Sequence, residues 1–257
     1  MRFIPALILA TACATSLRAP PPIESLAAAP SAPASDLLAR AGAAWAKRAD
    51  PAQAALSEDL YLQAARAQPD NVAAYSGAIR AKAFRLGREK DSAIKGKLAE
   101  SAVAVGQTCQ TQVKAPACDY WLAAALGLQA RERSATAHDA LPHMVELLKR
   151  AEATEPALDN AGPARVLAIL LLRAPGWPIG PGDPEAALVE ARKAAQMAPT
   201  YAPNQLALGE ALRKNGQESR AAYTEALRLA EAEAAGGGAT SDPDSKEWAE
   251  DARKALH

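Results

Sequence analysis

A chain of 257 residues with 49% apolar residues can bury a substantial core, as one large domain or two small ones. Aromatics make up only 4%, and much of the apolar share is alanine, the strongest intrinsic helix former, while strand-favouring residues are scarce. Lys+Arg and Asp+Glu are both 29, so no chain-wide basic face exists for nucleic-acid phosphates and only a small local patch remains open.

The N-terminus reads as an address. One positive charge at Arg2 precedes an apolar run from Ile4 to Ala12, broken only by Thr11, and the run exits through Ala10-Thr11-Ala12-Cys13. That order is the pattern of a secretory signal over residues 1–12, and it is too short to span a bilayer. Cleavage after Ala12 at a small-x-small site is one reading. The other is a resemblance to the bacterial lipoprotein box, in which Cys13 is lipidated and becomes the mature N-terminus. Under that resemblance Ala14, which is not Asp, directs the chain to the outer membrane. Leu9 lies one place further from the cysteine than such a box has its leucine. Residues 13–35 are a Pro/Ala/Ser stretch with no core of its own, expected to act as an extended tether.

Alanine-rich periodicity, punctuated by proline and glycine, predicts helices over 37–48, 51–67, 71–86, 91–107, 118–130, 140–153, 160–173, 184–197, 203–214, 218–233 and 243–256. Asp50-Pro51, Asp183-Pro184 and Asp242-Pro243 each offer a capping carboxylate before a proline at the first helical position. Gly87, Gly216 and Gly236 to Gly238 read as stops. Short connections pair these helices into antiparallel hairpins. Cys109 and Cys118, nine apart across an expected loop, either close that loop as a disulfide in an oxidising compartment or sit as small buried residues at adjacent helix ends. No second Cys/His pair accompanies them for a metal.

The second helices of the pairs resemble one another. Tyr61, Ala64 and Pro69 are echoed by Leu148, Ala151 and Pro156 and by Ala191, Ala194 and Pro199, with Tyr223 and Ala226 matching the first part. This pattern resembles the tetratricopeptide repeat, with Ser76-Gly77, Leu208-Gly209 and the turn glycine Gly216 supplying further positions. Pro156 to Pro199 is 43 residues and Pro69 to Pro156 is 87, so the unit is longer than the ~34 residues of a standard repeat and shares the longer period of HEAT-like pairs. The resemblance implies an all-α, right-handed solenoid of about five helical hairpins with a C-terminal capping helix over 239–257.

A more specific set runs from Asn160 and Arg165 through the apolar stretch Val166 to Leu172, the loop Pro175-Gly-Trp177-Pro178, Gly182-Asp183 and Pro199-x-Tyr201-x-x-Asn204. It is similar to bacterial exported tetratricopeptide-like proteins and to the T-component family, the periplasmic accessory lipoproteins of TRAP-type transporters. That second resemblance implies a partner that is a periplasmic solute-binding protein, and an apolar solute held in a central channel.

Candidate binding residues follow. Val166 to Leu172 is apolar all round and belongs in a core or beside a channel. Trp177, in a rigid Gly/Pro loop, either caps the hairpin's apolar end or gates a ligand groove. Tyr120 and Trp121 are adjacent, so one of them is expected to face a groove or neighbour. By the family resemblance, Asn160, Arg165 and Asn204 stand on the first helices that line the concave face and contact a peptide or carboxylate. His138 and His143 are separated by a proline, Pro142, expected to interrupt any helix there. Glu152 and Glu155 read as solvated helix faces. No catalytic set, cofactor motif or nucleotide loop is recognisable. The sequence therefore points to a non-enzymatic scaffold without cofactor, binding a protein or peptide and touching the membrane only through a lipid anchor. The competing reading is the transport accessory.

Overall fold

The computed structural model describes residues 28–132, 137–236 and 242–257. The expected leader, Cys13, most of the tether and the side chain of His138 lie outside the described residues. Among those described there are eleven helices and no strand: α1 (Ala34–Trp45), α2 (Pro51–Ala67), α3 (Val72–Arg88), α4 (Ser92–Gln112), α5 (Pro116–Glu132), α6 (Ala137–Thr154), α7 (Leu158–Arg173), α8 (Pro184–Met197), α9 (Ala202–Lys214), α10 (Arg220–Ala235) and α11 (Ser245–Leu256).

Local chemistry sets the ends. The Asp50 carboxylate accepts from the amide of Ala52, and that of Asp183 from the amides of Glu185 and Ala186, each ahead of a proline at the first turn. Asp242 departs from this plan: its carboxylate accepts from the Asp244 amide at 3.0 Å, and α11 begins later, at Ser245. Gly216 ends the α9 turn in the left-handed region, at φ 67°, whereas Gly87 lies inside α3, which runs on to Arg88. Helix α6 also runs through Pro142. The proline lies within two turns of the helix start, so the one hydrogen bond it forfeits is to a carbonyl of the first turn.

Consecutive helices pack as antiparallel hairpins, and every helix touches the next. Among the described residues the odd-numbered helices also touch one another in series, from α1 to α11, while even-numbered helices touch only their sequence neighbours. Elements that meet at every second position lie on the shorter path of a curved stack. The odd helices are therefore the inner layer and the even helices the outer one. The described residues form an all-α solenoid of five helical hairpins closed by a C-terminal capping helix, in which α11 packs on α9 and α10.

Small residues let the layers approach. A β-carbon at Gly77 would fall within 2.6 Å of the Tyr61 ring, and one at Gly209 within 2.8 Å of the Tyr223 ring. The same tyrosine-on-glycine contact thus recurs near both ends of the array. The expected tether is shorter than its composition implies: the backbone amide and hydroxyl of Ser31 both donate to Gln63 Oε1, at 3.2 and 2.9 Å, and α1 starts at Ala34. Cys109 and Cys118 form a disulfide with Cα atoms 5.5 Å apart. They do not lie in a long loop: Cys109 is in the last turns of α4 and Cys118 in the first turn of α5.

Candidate functional site

Four of the six expected binding residues converge on one buried point, at the head of α7. Asp159, Asn160 and Ala161 have φ of 51°, 55° and 61°, a left-handed run that costs non-glycine residues roughly 1–2 kcal/mol each. Aspartate and asparagine tolerate it best, and both are present here. This turn aims the carbonyls of Asp159 and Asn160 at Arg165, whose guanidinium donates to them at 3.1 and 3.0 Å. The same guanidinium donates to Asn204 Oδ1 at 3.0 Å and to the Asp159 carboxylate at 2.9 Å, and it stacks 5.0 Å from the Tyr201 ring centroid.

Asn204 is fully buried. Its amide donates to the carbonyls of Asn160, Ala194 and Ala198, each at 3.0 Å, tying α9 to α7 and α8. The Tyr120 hydroxyl donates a short hydrogen bond to the Asp159 carboxylate, linking α5 to the same point. Burial alone would lower the Arg165 pKa, but Tyr120, Asp159 and Tyr201 outweigh it and the net direction is up. Burial pushes Tyr120 well above its ordinary value and Tyr201 up to about 12, with Arg165 opposing each shift.

This arrangement locks inner helices together and uses its polar groups on itself. Arg165 and Asn204 do not line a peptide groove; their expected external contacts are replaced by contacts within the chain. Asn160 stands in the left-handed turn and contributes its backbone carbonyl. Trp121 and Tyr120 are both buried, at ring centroids 4.8 Å apart; of the groove or neighbour that one of them was expected to face, Tyr120 meets the neighbour, α7, through Asp159. Helix α5 is packed by α3, α4, α6 and α7, so residues that diverge around it still find a core on each side. The run Val166 to Leu172 joins that core, with Leu167, Leu170, Leu171 and Leu172 buried.

Trp177 caps nothing. It is 90% exposed, because the hairpin end is closed by backbone: the Asp183 amide donates to the Leu171 carbonyl at 3.0 Å and the Gly182 amide to Pro175 at 2.8 Å. The Trp177–Pro178 peptide bond is cis.

A second cluster, missed in the sequence, lies where the two ends of the array meet. Arg48 stacks at 4.3 Å on Trp45, Arg80 at 4.9 Å on the same ring, and Arg88 at 3.5 Å on Phe84. Trp45 and Phe84 themselves meet edge-on at 5.6 Å. Arg48 pairs with Asp242 at 2.8 Å, and Arg88 with Asp244 at 2.6 Å. Arg48 is buried, and its Nε has no hydrogen-bond partner. One sequence signal pointed here: Arg80, Phe84 and Arg88 recur every fourth residue and so share one face of α3. Beside this cluster, on α2 and α3, Glu58 is buried and accepts from Lys82 at 2.5 Å and from Arg85.

No protein-family model matches the chain, and no curated protein matches it at a significant level.

Proposed function

We propose that the chain is a non-enzymatic, tetratricopeptide-type interaction scaffold of the bacterial cell envelope, holding an acidic segment of a protein or peptide partner on its inner layer. One observation carries this reading: Arg48, just after α1, and Arg88 on α3 hold the carboxylates of Asp242 and Asp244, presented by the turn ahead of α11, while Arg80 stacks on the same Trp45 ring as Arg48. Arginine on an aromatic face keeps its fork free for carboxylate while its flat side is buried. Three cations face two acids, so an incoming carboxylate meets net positive charge. An acidic peptide supplies the same groups in the same chemistry and competes with the internal segment.

Two further points support binding over catalysis. The buried polar cluster around Arg165 has its hydrogen bonds filled from within, and the half-buried carboxylates of Glu152 and Glu190, the former expected on a solvated face, are held in ion pairs by Lys193. Export and lipid attachment rest on the pattern of residues 1–13 and are tested by the intact mass of the protein made from its own leader.

The binding test is fluorescence anisotropy with a labelled Asp/Glu-rich peptide. The double variant Asp242→Asn with Asp244→Asn should bind more tightly than the parent, because its internal competitor has lost its charge. Arg80→Ala with Arg88→Ala should lose binding. A peptide that binds neither the parent nor the Asp→Asn variant refutes the proposal.

A further inference from the structure

The loop between α7 and α8 holds two large apolar side chains out in water: Trp177 is 90% exposed and Ile179 71%. The other exposed large apolar residues, Leu56, Ile94, Val189 and Met197, lie on outer helices and are only 42–53% exposed. The tip is also built to stay where it is. Ile179 and Gly180 donate their amides to the Gly176 carbonyl at 3.0 and 3.1 Å, Gly176 bridges to Gly182, and Gly182 is tied to Pro175. A β-carbon at Gly182 would come within 2.2 Å of the Ala174 carbonyl oxygen, so the loop is closed to the limit of its backbone. The ordering entropy of this tip is spent in folding, which leaves little to lose on binding.

What covers it can be argued from charge and area. Residues 174–182 carry no charged side chain, and Arg173 at the base is paired with Glu210 at 3.0 Å. Two side chains offer roughly 350–400 Å², about half of what each partner buries in a stable protein interface. A convex, uncharged point of that size is too small to hold a protein alone. A bilayer surface needs no matching shape, and tryptophan partitions well at its headgroup boundary. We propose that the 177–179 tip inserts into the interfacial layer of a lipid bilayer. The inference rests on the envelope reading only for bringing the chain to a membrane. There it supplies a contact of the folded domain itself with the bilayer surface, separate from any lipid on Cys13.

The test uses the full chain produced from its own leader, mixed with phosphatidylethanolamine/phosphatidylglycerol vesicles with or without brominated acyl chains. Brominated lipid should quench tryptophan emission in the parent. Trp177→Phe should abolish that quenching, since Trp45, Trp121 and Trp248 are packed in the fold. Ile179→Asp should lower the insertion equilibrium about tenfold with the melting temperature unchanged. Quenching that persists in Trp177→Phe overturns the proposal, and so does its absence in the parent at saturating lipid. Acidic-peptide binding is measured on the parent and the same two variants: its absence in the parent touches the scaffold reading alone, quenching touches the tip alone, and a loss confined to the tip variants would make the tip part of the peptide site and overturn its assignment to the bilayer.

Discussion

Replacing Asp159 tests how the head of α7 is held. Its carboxylate accepts from Arg165 at 2.9 Å and from the Tyr120 hydroxyl, and its backbone sits at φ 51°. Asp159→Asn keeps the shape, keeps an acceptor oxygen and keeps tolerance of the left-handed region, so it removes the charge alone. Breaking a buried ion pair outright costs about 3–5 kcal/mol. The Asp159 side chain is 23% exposed and that of Arg165 8%, and solvent at the carboxylate, together with the retained acceptor, brings the expected loss down to about 2 kcal/mol. Asp159→Ala loses both hydrogen bonds and places a residue with no local polar contact in the left-handed region, adding about 1–2 kcal/mol more. Urea titration followed by far-ultraviolet circular dichroism reads both numbers. If Asp159→Asn falls within about 0.5 kcal/mol of the parent, the range of an ordinary surface change, Arg165 does not depend on that carboxylate. Equal losses for the two variants would show that the left-handed turn carries no backbone cost.

Three other perturbations bear on the same fold. Ala161→Gly, at φ 61°, relieves about 1–2 kcal/mol of left-handed strain but deletes a methyl buried against Ala164 and Ala194, about 0.8 kcal/mol, so stability should hold or rise by up to about 1 kcal/mol; a lower urea midpoint would count against that strain. Tyr120 and Tyr201 titrate above their ordinary value when folded, Tyr201 at about 12. The folded state therefore holds more protons than the unfolded state above pH 10, and stability should fall between about pH 10 and 12. Tyr201→Phe should flatten that fall, as read from urea midpoints across the range. Removing the Cys109–Cys118 link, which closes a sequence separation of 9, should cost about 2.5–3 kcal/mol. Cys109→Ala with Cys118→Ala, compared by thermal melting with the oxidised parent, checks it.

The parts of this fold that were legible in the sequence are the local ones. Asp50 and Asp183 announce helix starts because a capping carboxylate and a proline act within one turn, and Gly216 announces a stop because the left-handed φ it adopts is a local need. The meeting of Arg165 with Asn204 spans 39 positions and depends on α7 lying against α9, which no periodicity encodes. The left-handed run had a faint sign in Asp159-Asn160 ahead of Pro163, but the same letters suit an ordinary helix start. Of the two readings of Trp177 only the cap fails: its exposure is decided by backbone hydrogen bonds of the loop, which leave it no hairpin end to fill. The arginine stripe on α3 was readable as a stripe. Its acidic counterpart was not, since Arg88 and Asp244 are 156 residues apart.

That last contact has a bearing on how such a protein can change over time. Repeat arrays ordinarily lengthen or shorten by whole units, because each unit meets only its neighbours and the ends are indifferent to the count. Here residues 48 and 88 grip residues 242 and 244, so the beginning of the array senses where the end falls. Inserting or deleting one hairpin would swing Asp242 and Asp244 away from Arg48 and Arg88. The molecule is a coil with a fixed number of turns, and its length is constrained by closure as much as by the stability of any single unit.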